Sequence, residues 1–211
     1  MPLRCIEKEG VVYLFRDEFD MIVGSEIIVD RQYETPETPP PGSVFIDIGC
    51  CHGVWSCLMS KRVTNAKLLC IDPMPVNCEL TRLNLEQNGH PTENQLILQA
   101  AVGRGSCMEF QDCMEGGGRL NVPVMTLGHL LDAVKLKWGS EDVFTLKSDC
   151  EGGEYGFVET MTQSDANHIH WFVGEQHSGV SDSYDLEPRL NALGFKKVTS
   201  SMEHLFKYKR A

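Results

Sequence analysis

The stretch that decides the fold spans residues 43–58 and reads SVFIDIGCCHGVWSCL. An apolar run ends around Asp47, a turn with Gly49 and Gly53 follows, and apolar residues then recur at helical spacing. A strand, a glycine turn and a helix in this order are typical of α/β proteins that hold a nucleotide at the helix N-terminus. The spacing here is D-x-G-x-x-x-G, so one glycine of the dinucleotide fingerprint G-x-G-x-x-G is missing.

Composition and charge narrow the class of protein. The 211 residues suffice for one domain with a full core, and 42% of them are hydrophobic while 23% are charged. The formal net charge of −11 argues against a nucleic-acid partner and against an anionic membrane surface, since both attract clustered lysine and arginine. The N-terminal MPLRCIEKEGVV has charges where a signal peptide needs an apolar core, so we expect a cytoplasmic protein.

A proline-rich connector, YETPETPPPGS at residues 33–43, divides the chain. Its prolines neither continue a helix nor fit a central strand. We therefore assign residues 1–42 to an N-terminal arm with its connector, and residues 43–211 to the main domain. In the arm we predict two short strands and then a segment that is either helical or extended: 11–17, 20–24 and 25–33.

Strands and helices alternate along the main domain, which predicts right-handed crossovers and a largely parallel sheet. The predicted strands of the central sheet are 43–49, 66–72, 94–103, 142–149 and 168–177, followed by an antiparallel pair at 195–200 and 204–210. The predicted helices are 53–63, 75–89, 126–136, 153–164 and 183–194. A side hairpin at 106–112 and 119–127 surrounds the flexible EGGGR. The expected fold is a Rossmann-like three-layer α/β/α sandwich, with a mostly parallel seven-stranded sheet and a C-terminal antiparallel hairpin strand.

Four of the predicted strands end in carboxylates: Asp47, Asp72, Asp149 and Glu175. Because ligands of parallel sheets bind beyond the carboxyl ends of the strands, these side chains are expected on one rim. An acidic rim would repel the pyrophosphate of a dinucleotide and suits a ligand with positive charge. S-adenosylmethionine has a sulfonium, an ammonium and a ribose, and Asp72 lies at a suitable distance after the turn to bind the ribose hydroxyls.

The chain also resembles the FkbM-type S-adenosylmethionine-dependent methyltransferases. The motifs that carry the resemblance lie between residues 33 and about 195: YETPET, VFIDIGCCHG, IDPMPVN, LNLEQNG, AAVG, VPVMTL, LKSDCEGGE and GEQH. The resemblance implies the class I methyltransferase fold and methylation mainly of hydroxyl oxygens on sugars or natural products. This chain departs from the family pattern with GCCHG in place of GANIG, SDCEG in place of IDVEG, and Asp72-Pro73 in place of Glu-Pro.

The resemblance assigns cofactor roles around the glycine turn. Gly49 and Gly53 let the turn pass under the methionine part of the cofactor. Asp47 faces its ammonium, with helix capping as the alternative. His52 beside the turn is expected to line the methionine pocket or, less favoured, to reach the acceptor. Asp72 binds the ribose.

Further cofactor contacts are expected above the ribose. Met74, after Pro73, covers the adenine or simply packs in the core. Ala101 offers backbone groups to the adenine. Tyr33 closes over the cofactor or makes an ordinary linker contact.

The acceptor side is expected at Asp149, Glu175 and His177. In extended chain, Glu175 and His177 point the same way, toward the end of the neighbouring strand. One interpretation makes His177 a general base oriented by a carboxylate. A second makes all three residues ligands of a divalent metal, which is possible but not the expected outcome. A third leaves Asp149 beside the sulfonium and gives the other two only loop contacts.

The predicted function is methyl transfer from S-adenosylmethionine to a hydroxyl of a small molecule or glycan. Nitrogen methylation, a catalytically silent cofactor-binding module and an NAD-dependent oxidoreductase remain alternatives. Substrate choice resides in loops, here the arm, the EGGGR hairpin and EQHSGVSDS at residues 175–183, and so the acceptor and the oligomeric state are left open.

Overall fold

A seven-stranded sheet runs through the middle of the computed structural model, which describes residues 3–111, 118–177, 185–198 and 204–211. The helices are α1 (Glu18–Ile28), α2 (Val54–Arg62), α3 (Pro75–Gln87), α4 (Leu127–Trp138), α5 (Gly153–Thr160), α6 (Gln163–Ala166) and α7 (Leu186–Ala192). The strands are β1 (Arg4–Lys8), β2 (Val11–Phe15), β3 (Val44–Ile48), β4 (Lys67–Asp72), β5 (Gln95–Gln99), β6 (Ala101–Val102), β7 (Cys107–Gln111), β8 (Arg119–Met125), β9 (Val143–Ser148), β10 (Ile169–Glu175), β11 (Phe195–Val198) and β12 (Leu205–Arg210).

The strand order of the central sheet is β11-β12-β10-β9-β3-β4-β5. Strands β5, β4, β3, β9 and β10 pair in parallel, whereas β12 pairs antiparallel with both β10 and β11. The predicted mostly parallel sheet with a C-terminal antiparallel hairpin strand is confirmed. The order reverses at β3, so the chain leaves β3 on one side toward β4 and later returns to its other side with β9. This switch point is where open α/β sheets bind their ligands.

The two faces of the sheet bury separate cores, which gives the three predicted layers. Alternate residues of β3 divide between them, with Phe45 on one face and Ile46 on the other. The face of Phe45 is covered by the arm and helices α1, α2 and α3 through residues such as Trp55 and Leu85. The face of Ile46 is covered by α4 to α7. Both faces are apolar because neither side of the parallel strands reaches water.

The arm packs on the main domain as part of the core around Phe45. Its hairpin of β1 and β2 is attached to α3 by two side-chain amides. Asn84 accepts from the backbone N–H of Leu14 at 2.7 Å and donates to its carbonyl at 3.0 Å. Asn88 does the same for Val12 at 2.8 and 2.7 Å. These amides substitute for a neighbouring strand, so the backbone groups of β2 that face α3 are satisfied.

The predicted strand at 20–24 is wrong, because this segment is helical in α1. Asp17 caps the helix by accepting a hydrogen bond from the backbone N–H of Asp20. Residues 25–33 were predicted to be either helical or extended, and the helix continues through them as far as Ile28. Strand β2 confirms the prediction for residues 11–17, whereas β1 was not predicted.

Two predicted elements are interrupted. The strand predicted for 94–103 breaks after Gln99, and β6 pairs with β8 in a separate small sheet. The helix predicted for 153–164 ends at Thr160, and Thr162 starts α6 with a capping box.

The side hairpin is confirmed as β7 and β8, but its loop at 112–117 lies outside the described residues. The same holds for most of EQHSGVSDS. Among the described residues, no helix combines the length and apolarity needed to cross a bilayer.

Candidate functional site

The turn after β3 is built around two glycines with left-handed backbone. Gly49 has φ +69°, and a Cβ atom there would lie 1.7 Å from the carbonyl oxygen of Asp149. Gly53 has φ +73°, and a Cβ atom would lie 2.8 Å from Cγ2 of Thr81 on α3. Only glycine therefore allows the turn to touch both the β9 turn and α3. The predicted glycine turn is present, and it starts α2 as expected.

Asp47 is buried beneath this turn in an ion pair that the sequence did not reveal. Its Oδ1 accepts from Nζ of Lys147 at 2.9 Å, and its Oδ2 accepts from Oγ of Ser56 at 2.7 Å. Lys147 also donates to the carbonyl of Gly49 at 2.9 Å. Although burial lowers the pKa of Lys147, the charges of Asp47 and Asp149 raise it above its ordinary value, so the ammonium stays charged. Asp47 thus holds Lys147 under the turn, and contact with a cofactor ammonium stays a prediction.

Asp72 lies beside the turn at the end of β4. Its Oδ2 accepts from the backbone N–H of Cys51 at 3.0 Å, while Oδ1 accepts from the N–H of Met74 and the amide of Asn77, each at 2.9 Å. Burial raises the pKa of this carboxyl group, and the three hydrogen bonds oppose that rise. The structure therefore brings the predicted ribose carboxylate against the predicted glycine turn.

The residues expected near an adenine follow Asp72 and β5. Met74 precedes α3 as its N-cap, and it is partly buried, as is Pro73. The Pro73 carbonyl accepts from the side chain of Gln99 at 3.3 Å. Ala101 is buried in β6, next to Ala100, whose N–H donates to the carbonyl of Asp72 at 3.2 Å. These residues lie on the β4 side of the turn, and their contact with an adenine stays a prediction.

His52 packs toward the arm, and its predicted place in the methionine pocket stays a prediction. The side chain is buried and only 1% of the residue is exposed. Its Nε2 donates to the carbonyl of Asp20 at 3.0 Å, and its ring packs edge-to-face on Phe15. Burial lowers the pKa of His52, so the ring is neutral.

Tyr33, the first residue of the proline-rich connector, forms a hydrogen bond to the rim. Its buried hydroxyl donates to Oδ2 of Asp149 at 2.9 Å, and its ring lies 5.3 Å from Nζ of Lys147. Burial and the neighbouring Asp149 raise the pKa of Tyr33, so the phenol remains a hydrogen-bond donor. Tyr33 thus positions a rim carboxylate, and closure over a cofactor stays a prediction.

The three residues predicted on the acceptor side come together. Nε2 of His177 lies 3.7 Å from Oδ1 of Asp149 and 3.8 Å from Oε1 of Glu175, and Oε2 of Glu151 is 3.5 Å away. The side chains of Asp149, Glu175 and His177 are between 18% and 27% exposed, so a solute can reach them. Burial and the charge of Asp149 raise the pKa of Glu175.

The carboxylate that orients His177 is Glu154, a residue the sequence interpretation missed. Oε1 of Glu154 accepts from Nδ1 of His177 at 3.2 Å and from its backbone N–H at 2.9 Å. Glu154 is fully buried in the first turn of α5. This hydrogen bond raises the pKa of His177 to about 9, and burial lowers it by less. The imidazole is thus fixed with Nε2 toward the rim.

A cavity of about 550 Å³ opens at the opposite edge of the sheet, beside Val44, Lys67 and Val143 near the starts of three strands. In open α/β sheets the functional groups gather at the carboxyl ends instead. The turn, Asp72 and the rim around His177 all lie at those ends, so we place the candidate site there and not in this cavity.

Similarity to known proteins exists at the level of structure. No protein-family model and no curated protein sequence matches the chain. The solved structure of methyltransferase FkbM from Methylobacillus flagellatus KT is similar with a TM-score of 0.54 and 13% identity. That match covers 81% of this chain but 44% of the other, so this chain spans less than half the length of that protein.

Two further structures have the same architecture. The fibrillarin pre-rRNA processing protein of Methanococcus jannaschii matches with a TM-score of 0.55 at 10% identity, covering 99% of this chain and 82% of that one. An rRNA methylase from Streptococcus thermophilus matches with a TM-score of 0.51 at 9% identity, covering 82% and 89%. The fold is that of class I methyltransferases. At these identities the similarity defines the fold and leaves the substrate open.

Proposed function

We propose that this protein is an S-adenosylmethionine-dependent methyltransferase. The observation that carries the proposal is the contact between Asp72 and the N–H of Cys51, which joins a ribose-type carboxylate to the glycine turn at the switch point of the sheet. The fold shared with methyltransferases supports the same cofactor.

In this proposal, the cofactor lies across the carboxyl ends of β3 and β4. The turn at Gly49 and Gly53 lies under the methionine part, Asp72 binds the ribose, and Met74 with Ala101 lies beside the adenine. Asp47 supports the turn from below, since Lys147, its partner, donates to the carbonyls of Ile48 and Gly49. A dinucleotide fits less well, because its pyrophosphate would meet Asp72 and Asp149 at the same rim.

We further propose that the acceptor is a hydroxyl group of a sugar or other small molecule, bound over Asp149, Glu175 and His177. An alcohol must lose its proton as the methyl group transfers, and these residues supply carboxylate and imidazole groups at one place. The net charge of −11 supports a small acceptor over RNA, although an rRNA methylase shares the fold.

An amine is the second candidate acceptor, because the three carboxylates near Nε2 of His177 would attract its protonated form, which loses its extra proton to solvent before the nitrogen takes the methyl group. The two candidates differ in their need for a base. Methylation of a neutral amine requires less help with proton removal, so His177→Gln should leave most of the rate with amines and little with alcohols.

The test is an acceptor screen with methyl-labelled S-adenosylmethionine over sugars, small alcohols and amines, using wild-type protein and His177→Gln. Labelled alcohol products that require His177 support O-methylation, and labelled amines would replace that part of the proposal. Cofactor binding without any labelled product across the screen would point to a silent binding module.

A further inference from the structure

We infer that the rim binds one divalent cation between Asp149, Glu175 and His177. The role of this cation in activating the acceptor rests on the proposed function, whereas the cation site itself rests on the geometry of the three side chains. Their ligand atoms all lie within 4.8 Å of one another. They come from the ends of two adjacent parallel strands, β9 and β10, so the sheet fixes their separation.

The distances within this group suit a shared cation better than direct contact. Nε2 of His177 stands 3.7 Å from Asp149 and 3.8 Å from Glu175, which is too long for hydrogen bonds. Ligand atoms that each lie about 2.1 Å from one cation are roughly 3 to 4 Å apart, depending on the angle. Both distances from Nε2 fall in that interval, and the Asp149 and Glu175 ligand atoms lie within 4.8 Å of each other, so a cation could bind after a small movement of the side chains.

Two further residues, Glu154 and Tyr33, form hydrogen bonds that orient the proposed metal ligands. Nδ1 of His177 donates to the buried Glu154, which leaves the lone pair on Nε2 available once the ring is neutral. Oδ2 of Asp149 accepts from Tyr33, which leaves Oδ1 directed at His177. A histidine held by a carboxylate on its far nitrogen is the usual support of a metal-binding imidazole. This arrangement distinguishes the site from an ordinary group of surface carboxylates.

The donor set identifies the class of cation. Two carboxylates and one imidazole form a mainly oxygen site, which suits Mn²⁺ or Mg²⁺ better than a thiolate-seeking metal. Glu151 lies at the mouth of the site with its carboxylate 3.5 Å from Nε2 and its side chain 89% exposed. The partial exposure of the three ligands leaves positions for water or an acceptor hydroxyl.

In the proposed reaction, the acceptor oxygen forms a bond to the methyl carbon while the carbon–sulfur bond breaks. The electron pair of that bond stays on sulfur, which becomes a neutral thioether, and the hydroxyl proton leaves to solvent. A divalent charge next to the hydroxyl makes loss of that proton easier. The three residues would therefore act by holding the cation and the acceptor together.

A second group with metal-ligand spacing, Asp20, Cys51 and His52, is a weaker candidate. The carboxylate of Asp20 is already bound by Arg16 through two hydrogen bonds of 2.7 and 2.8 Å. Nδ1 of His52 is buried without a hydrogen-bond partner among the described residues, but the adjacent guanidinium of Arg16 opposes a cation. This group serves as the rival location in the experiment.

The experiment is a titration of chelator-treated, dialysed full-length protein with Mn²⁺ alone, following free Mn²⁺ by electron paramagnetic resonance. We expect saturable binding of one ion per chain. Glu175→Gln and Glu154→Gln should each weaken it about tenfold or more, the first by removing a ligand and the second by releasing His177. Glu141→Gln, which removes a carboxylate beside His168 at the other edge of the sheet, is the matched control and should bind as wild type.

Three results would overturn the inference: no saturable binding in the wild type, equal binding in Glu175→Gln, or loss of binding in Cys51→Ser. Circular dichroism of every variant ensures that a folded protein is compared. S-adenosylmethionine binding is measured in parallel on the same samples. Cofactor binding without Mn²⁺ binding would refute the metal site alone, and Mn²⁺ binding without cofactor binding would refute the proposed function alone.

Discussion

Lys147 and Asp47 form an ion pair of 2.9 Å inside the sheet, where their side chains are 2% and 1% exposed. The lysine lies on β9 and the aspartate on the adjacent β3, directly opposite each other in the parallel register. Because Lys147 also donates to two carbonyls at the end of β3, the pair joins the core of the sheet to the candidate cofactor turn. Removal of either charge would leave the other buried without its partner.

Lys147→Ala is therefore expected to lower the free energy of unfolding by about 3–5 kcal/mol, because it strands a buried carboxylate. Chemical denaturation followed by circular dichroism measures this. The exposed pair of Lys135 with Glu141 is the control, and Lys135→Ala should lower the free energy of unfolding far less, because solvent screens this pair. Equal losses in the two variants would show that the charge of Lys147 is not buried as described.

Alanine substitutions at Gly49 and at Gly89 test how closely the turn approaches Asp149, because only Gly49 lies against that residue. Both have φ +69°, but a Cβ atom would lie 1.7 Å from a backbone oxygen at Gly49 and has nothing within 4 Å at Gly89. Gly89→Ala should cost only the backbone strain, about 1 kcal/mol. Gly49→Ala should cost several times more, because the β9 turn must move. Matching denaturation midpoints for the two variants would contradict this packing.

The pair of His177 with Glu154 predicts a pH dependence of stability in chelator-treated protein. Folding raises the pKa of His177 from about 6.5 to about 9, since Glu154 accepts from its ring. The protonated ring therefore stabilises the fold fully below pH 6.5, and this contribution disappears as the pH rises through about 9. The free energy of unfolding should fall across this window, on the order of 1 kcal/mol, and the fall should be absent in His177→Gln. Parallel curves for the two proteins would argue against the pair.

The parallel sheet and the rim were predictable because they follow from periodicity and from residue type at strand ends. Apolar runs bounded by glycine and proline predicted where the strands lie along the chain, and the carboxyl ends of parallel strands meet at one edge. Asp72, Asp149 and Glu175 were placed by this argument, and His177 was placed by its position two residues after Glu175 in extended chain. The side hairpin followed in the same way from two short alternating segments.

Other features depend on contacts that are distant in sequence. Glu154 occupies a first-turn position that looks like an ordinary helix start, and its partner His177 is 23 residues later. The contact of His52 with the carbonyl of Asp20 spans 32 positions of the chain, so the sequence did not reveal it. Residues 20–24 of α1 were misread as a strand, because the prediction gave weight to their β-preference and none to the helix cap at Asp17.

Lys147 had a signal that sequence analysis can use in other proteins. It stands in an apolar strand, DVFTLKSD, where an unpaired lysine would be costly. A lysine in such a strand implies an acidic partner on a neighbouring strand, and Asp47 is the carboxylate within the apolar run of β3.

Calorimetric titration decides whether the protein binds S-adenosylmethionine. Wild-type protein and Asp72→Ala are titrated with S-adenosylmethionine, with its demethylated product and with NAD, after circular dichroism has shown that the variant is folded. We expect the wild type to bind S-adenosylmethionine and its product but not NAD, and we expect Asp72→Ala to bind neither of the first two. Binding of NAD alone would contradict the proposed cofactor, and S-adenosylmethionine binding unchanged by Asp72→Ala would contradict the proposed role of Asp72.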